Sequence, residues 1–305
     1  MTRTTIGALV GGTDLALHEA GLPLLNMEIP ATEASFAFDA LSDAGVTFER
    51  GQRFAVHQRV AYVPVRGLLT PNSAVLERYL GWSTYHGIAE TMATLSASDE
   101  VEAVVLFFDT PGGAVMGIQS AVAAIQACAA AKPMHALVHP LAASAGYWLA
   151  SQCQDLSASP GSWVGSVGTM LTAYQPVQPG ETGNQIYILT SEHAGAKRPD
   201  LSTEEGKAIS MVRLNAMEAE FLSAVAQGRG ITVDDVPGRM SRTDDDKMGG
   251  DVFWDEDAVS RGLVDQIETV ASFMSRVAGL YAPKKQTRSR AYHAKAAAAK
   301  ASASL

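Results

Sequence analysis

The chain has 305 residues, 47% of them apolar, with 23 Lys+Arg against 32 Asp+Glu and a formal net charge of −9. That length allows one large or two modest domains with a substantial core, and the acidic balance argues against nucleic acid as the main partner. Cys128 and Cys153 are too few for a disulfide framework or a four-ligand zinc site, and neither a spanning apolar run nor a secretion signal is visible, so a soluble protein of a reducing, intracellular compartment is expected.

Residues 1 to about 52 show weak periodicity. ATEASFAFDALSDAG suggests a short helix, and this stretch reads as an arm. From Arg59, RVAYVPVRGLL is β-branched and apolar, a strand ending at Gly67. NSAVLERYLGWSTYHGIAETMATLSAS has helical spacing, with Leu76, Leu80, Ile88, Met92 and Leu95 as core positions. VEAVVLFFDT is a nearly continuous apolar run, as expected of a strand buried on both faces of a parallel sheet. PGG leads into an Ala-rich helix, GIQSAVAAIQACAAA, ending near Lys132-Pro133. MHALVHP is a strand and SAGYWLASQC a short helix. After an irregular Gly/Ser segment, QIYILTSE is a further strand, and a long helix runs from about Ser202 to Gln227.

Strand–helix alternation with short loops predicts an α/β fold with right-handed βαβ units and a largely parallel sheet. The expected division is an arm (1–52), a catalytic-sized domain (53–282) and a tail (283–305). The tail, PKKQTRSRAYHAKAAAAKASASL, holds six Lys+Arg and no acid, leaving 17 basic against 32 acidic side chains upstream. Basic, Ala/Ser-rich and poor in large apolar groups, it is expected to be disordered, or to act as a tether on an acidic surface.

Three small-residue turns follow strands, where open α/β sheets place their sites. In Asp109-Thr110-Pro111-Gly112-Gly113, paired glycines leave backbone N–H groups uncovered, free to face an oxyanion; an ordinary turn has the same sequence. In Ala142-Ala143-Ser144-Ala145-Gly146-Tyr147, a serine stands where a helix begins. A plain N-cap accounts for the serine but not for Ala143, Ala145 and Gly146 around it. A nucleophile accounts for both, because a substrate carbonyl must approach the backbone closely. There is no Gly-x-Ser-x-Gly, so the lipase-type elbow is not the pattern. Val164-Gly165-Ser166-Val167-Gly168 is the third turn, and a satisfied hydroxyl there is at least as natural as a functional one.

A serine nucleophile needs a base. His139 lies on the preceding strand, and His193 with Asp200 has triad-like spacing. Lys197, in HAGAKRPD, is the other candidate. Bringing a lysine from about 10.4 to about 7 costs on the order of 4–5 kcal/mol of differential solvation, so it must be buried to serve.

In order, TPGG after an apolar strand, SAGYWLAS, GSVGTM, a Gly-x-x-Lys-like element (Gly195 to Lys197) and VFWDEDAVSRGLVDQIE resemble the signal peptide peptidase A-type serine peptidases. The closer likeness is to their phage branch, the capsid assembly (head maturation) proteases. The resemblance spans about Arg59 to Glu268. It implies a Clp protease/crotonase-like fold of repeated ββα units and a Ser–Lys dyad without metal or cofactor. Ser144 is then the nucleophile and Lys197, 53 positions later, the general base. Ser166 becomes the serine that supports the lysine, and the Gly113 and Ala145 N–H groups form the oxyanion hole. Two departures stand out. TMLTAYQPVQPGETGNQ has Pro and Gly where the family runs a helix, and Arg198-Pro199-Asp200 replaces the usual residues near the lysine. Lys132 and Lys207 fit the lysine position less well.

The resemblance further implies a soluble endopeptidase that cuts scaffold and capsid proteins. Its setting is the growing prohead within the host cytoplasm, and it works as a homo-oligomer with no membrane anchor. Other readings are a cellular signal-peptide-peptidase-like protease lacking an anchor, a crotonase-type enzyme holding coenzyme A thioesters, and an inactive minor capsid component.

Overall fold

The computed structural model of the chain describes residues 5–10, 15–33, 39–49, 51–171, 191, 194, 196 and 199–282. The arm contributes α1 (Ile6–Val10), β1 (Leu15–Leu17), α2 (Leu22–Leu25) and α3 (Asp39–Ser42). Next come β2 (Ala55–His57), β3 (Val60–Arg66), α4 (Ala74–Leu80), α5 (Tyr85–Ala97), β4 (Ala103–Thr110), β5 (Gly112–Ala114) and α6 (Ile118–Ala131). They are followed by β6 (Met134–Ala143), α7 (Ala145–Ala150), β7 (Asp155–Ala158) and β8 (Trp163–Gly165). Last are α8 (Glu204–Arg229), α9 (Asp235–Met240), β9 (Val252–Trp254), α10 (Asp255–Ser260), β10 (Gln266–Ile267) and α11 (Val270–Tyr281).

The main sheet runs β10-β7-β6-β4-β3-β2, with β8 joined to β6 and β9 to β8. Every pair from β3 through β4, β6 and β7 to β10 is parallel, as is β6–β8; β2–β3 and β8–β9 are antiparallel. The α/β expectation with a largely parallel sheet therefore holds. Side chains of β4 alternate between two cores, as the period-two pleat requires. Val104, Leu106 and Phe108 join Ala61, Val63 and Val65 beneath α5, α6 and α7. Val105 and Phe107 face the other way, onto Leu41 of α3 and Phe273, Met274 and Val277 of α11. The unbroken apolar sequence of this strand is thus the signature of a sheet covered on both sides.

The structure departs from the sequence expectation in several places. The single helix expected over NSAVLERYLGWSTYHGIAETMATLSAS is two, α4 and α5. Gly81 ends the first in the left-handed conformation (φ 63°), and Thr84 caps the second, its hydroxyl accepting the Gly87 N–H. Apolar spacing continues across the break and hides it. Leu80, expected in the core, is only partly buried against a third cluster of Ile6, Leu17, Leu68, Leu76 and Trp82. The irregular Gly/Ser segment holds β7 and β8, which at four and three residues are too short to show a period. QIYILTSE, apart from Ser191, and the tail 283–305 lie outside the described residues.

Candidate active site

β6 passes from the sheet interior to β8 and ends at Ala143, so that Ser144 follows it between the turn after β4 and the turn after β8. Ser144 has φ 54° and ψ −123°, a backbone conformation that costs a non-glycine residue on the order of 1–3 kcal/mol. Its N–H donates to the Gly165 carbonyl at 2.8 Å. It occupies the N-cap position of α7, yet its side chain makes no cap bond. That separates it from an ordinary capping serine, whose hydroxyl would serve the helix. The Gly-x-Ser-x-Gly signature is missing, but the strand-to-helix turn passes through a positive φ at Ser144, with buried Ala143 and Ala145 as its small neighbours.

The turn after β4 is fixed from beneath. The Thr110 hydroxyl donates to the Gly67 carbonyl at 2.6 Å and accepts the Gly112 N–H at 3.1 Å. Gly113 lies on the backbone of Leu69; a Cβ there would stand 2.0 Å from the Leu69 carbonyl oxygen. Only glycine fits. Ala145, the other residue expected to supply an oxyanion donor, is the first residue of α7, which packs on β5 and β4.

Ser166 also has a positive φ, 53°, and its N–H donates to the Asp251 carbonyl at 2.7 Å. Ser144 and Ser166 line one cleft of about 800 Å³, together with Glu218 of α8 and Lys247. Lys197 and His193 lie outside the described residues. The remaining candidate bases are engaged elsewhere. His139 Nδ1 is 2.6 Å from the Ser159 hydroxyl, and its ring packs edge-on against Phe107. The Asp200 carboxylate accepts from the Ser202 N–H and hydroxyl. The Lys132 ammonium donates to the Val101 carbonyl at 2.6 Å and to that of Ser98. Lys207 pairs with Glu204 at 2.8 Å on the exposed face of α8.

The arm supplies cleft residues that sequence reasoning missed: Leu17, His18 and Glu19. No periodicity or motif marks them. His18 Nδ1 accepts the Ala20 N–H at 3.2 Å, so in the neutral ring the proton sits on Nε2. The one basic nitrogen of that tautomer, Nδ1, already serves the Ala20 N–H. A second cavity of about 360 Å³ lies beside Trp82, where Arg53 is already paired with Glu77 and Glu90. Its Thr84 hydroxyl, 3.3 Å from a Glu77 carboxylate oxygen, serves as the cap of α5 by accepting the Gly87 N–H.

The C-terminal motif GLVD is structural. Asp265 accepts the Leu156 N–H on its carboxylate at 2.8 Å, returns its own N–H to the Leu156 carbonyl at 2.8 Å, and pairs with Arg229. The Tyr147 hydroxyl donates to the Leu263 carbonyl at 2.8 Å, and burial drives its pKa well above the ordinary phenol value. The segment that leads into β10 is thereby tied to β7 through Asp265 and, through Leu263, to α7, which begins just after Ser144. Trp148 stacks on Phe221 at 4.3 Å between ring centroids, joining α7 to α8, and such contacts contribute about 0.5–1.5 kcal/mol.

Among the described residues, no group of three or more His, Cys, Asp or Glu could hold a metal ion, and no helix is long and apolar enough to cross a membrane.

The model of Peptidase family S49 matches residues 126–282, just over half of the chain. The head-tail preconnector protein GP5 of Enterobacteria phage P21 is 26% identical over 262 residues, 83% of this chain and 50% of that protein. The capsid assembly protease C of Escherichia phage lambda is 30% identical over 122 residues, 40% of this chain and 28% of the relative. Protease 4 of Haemophilus influenzae is 24% identical over 245 residues, 78% of this chain and 37% of the relative. The chain thus spans at most about half the length of these relatives.

Proposed function

Because the chain belongs to peptidase family S49, we propose that it is a serine endopeptidase with Ser144 as nucleophile and Lys197 as general base. The observation that carries this reading is Ser144 itself. It sits in a strained turn, its side chain is not used as a helix cap, and it lines the cleft that also holds Ser166. A strained, uncapped serine is hard to explain by stability alone. The α/β architecture is the one expected of a Clp protease/crotonase-like fold.

In this mechanism neutral Lys197 takes the proton of the Ser144 hydroxyl as Oγ bonds to the peptide carbonyl carbon. The carbonyl π electrons move onto oxygen, and the N–H groups of Gly113 and Ala145 stabilise that oxyanion. Collapse of the intermediate breaks the C–N bond, and the lysine proton passes to the leaving amine. Water then attacks the acyl-enzyme, giving its proton to Lys197; the Ser144 oxygen leaves and regains a proton. Ser166, in the same cleft, holds the lysine amine in this scheme.

The substrates we propose are scaffold and capsid proteins, processed in the phage prohead inside the host cell. Support comes from the two phage relatives, one of them named as a capsid assembly protease. The functional unit in this reading is a homo-oligomer. The exposed Ile209, Met211 and Val212 on α8 favour a partner surface there. The test is mass spectrometry of capsid and scaffold proteins coexpressed with the parent chain or with Ser144→Ala. Cleavage products with the parent and none with the variant support the reading; intact substrates with both refute it.

A further inference from the structure

β1 of the arm pairs antiparallel with β5, the strand that carries the Pro-Gly-Gly turn, in the register Leu15↔Ala114, Ala16↔Gly113 and Leu17↔Gly112. The next pair, His18 and Pro111, is hydrogen-bonded, with the His18 N–H donating to the Pro111 carbonyl at 2.8 Å. In an antiparallel ladder, bonded and non-bonded pairs alternate, so Ala16 and Gly113 form the bonded pair on the same side. The opposite edge agrees. The Gly112 carbonyl accepts the Leu69 N–H at 2.9 Å, and the Ala114 N–H donates to the Leu69 carbonyl at 2.9 Å. The Gly113 N–H therefore points away from Leu69, toward the backbone of Ala16.

That N–H is the donor the mechanism needs for the oxyanion. The arm thus lies across the edge of β5 where the reacting peptide would be held. It is also anchored there. Leu17 is buried with Ile6, Leu68, Leu76 and Trp82, and Gly21 packs so closely on Pro111 that a Cβ would stand 2.8 Å from the proline ring. Beyond the ladder, His18 lines the Ser144 cleft and meets the Trp163 ring edge-on at 6.2 Å.

We infer that residues 15–18 are an occluding strand, which holds the Gly113 N–H against the Ala16 carbonyl until a substrate strand displaces it. This rests on the assignment of Ser144 and Gly113 proposed above. An extended peptide gains the same backbone bonds by adding to the vacated edge, as in strand-addition recognition generally. The chain then exists in a closed state, with β1 on β5, and an open state, with that edge free. Substrate binding draws the population toward the open state.

The test compares the rate of covalent labelling by a fluorophosphonate serine probe in three full-length chains. They are the parent, Ala16→Pro, which removes a ladder N–H, and Ala16→Pro/Ser144→Ala. A fourth chain lacking residues 1–21 and a synthetic peptide of residues 12–21 complete the set. Folding of each variant is checked by circular dichroism. The expected result is labelling at least tenfold faster in Ala16→Pro and in the truncated chain, and slowing of the truncated chain by the added peptide. Labelling is expected to vanish with Ser144→Ala. Equal or slower labelling in both arm variants, with Ser144 still labelled in the parent, overturns the occluding strand and leaves the peptidase reading intact. No Ser144-dependent label in any folded variant overturns that reading, and this inference with it.

Discussion

Gly146 lies against Thr110 so closely that a Cβ on the glycine would stand 2.4 Å from the threonine Cγ2. This contact joins the two turns that frame the site. Thr110 holds the glycine turn through its hydroxyl, and Gly146 follows Ser144 by two residues on α7.

Gly146→Ala should therefore cost on the order of 1–3 kcal/mol, the range for overpacking, and should lower peptidase activity by separating the turns. Thr110→Ser keeps the oxygen and removes the methyl group. The double variant Gly146→Ala/Thr110→Ser should recover most of the stability lost in the single one, a coupling that urea denaturation in a double-mutant cycle measures directly. Additive losses would mean that the two residues do not oppose each other.

Ser144→Gly separates stability from chemistry. Glycine takes the φ of 54° without strain, so this variant should melt at or above the parent temperature while losing at least about 10³-fold in activity. Calorimetry and a cleavage assay on the same preparation check both halves. A melting temperature several degrees lower would show that the serine hydroxyl stabilises the fold.

Lys197 and Lys247 offer a second contrast, since Lys247 lines the cleft but has no part in the proposed dyad. Lys197→Ala should lower kcat by about 10²–10⁴-fold, the usual contribution of a general base. Lys247→Ala should leave kcat within a few-fold, in the range of surface substitutions. Steady-state kinetics with a peptide cleaved by the parent gives the comparison.

Away from the site, Asp155 of β7 pairs with His135 Nδ1 of β6 at 2.6 Å and with Arg276 at 2.7 Å, the second contact joining α11 to the sheet. Burial raises its pKa, but the hydrogen bonds from His135 and Arg276 outweigh burial and hold it below the ordinary carboxylate value. A depressed folded pKa stabilises the fold above the unfolded value of about 3.9, and that contribution disappears as pH falls through the folded value. Asp155→Asn should cost about 1.5–3 kcal/mol near neutrality, the range for charge-assisted hydrogen bonds. The difference in melting temperature between parent and variant should shrink below about pH 4.

Much of this architecture was legible in the sequence because apolar runs have few ways to be buried. VEAVVLFFDT and the Ala-rich helix after PGG were placed correctly on pattern alone, and Ser144 and Ser166 do share a cleft. Short elements were harder. Three-residue strands such as Trp163–Gly165 carry no period, and the arm strand Leu15–Leu17 acquires its role only through pairing with residues almost a hundred positions away. At Ser144 the sequence marked a serine at a strand-to-helix turn but not the strain it carries. Of the two glycine places in Gly-x-Ser-x-Gly, Ala142 fills the first and Gly146 keeps the second, while the strain at Ser144 is visible only in backbone angles.

The most direct test of the catalytic assignment is peptide mapping of the chain after reaction with a fluorophosphonate probe, in the parent and in Lys197→Ala, alongside a cleavage assay. The account predicts a single adduct on Ser144 in the parent, with both adduct and cleavage nearly lost in the lysine variant. An adduct on another serine, or a Lys197→Ala chain that reacts and cleaves as fast as the parent, would contradict it.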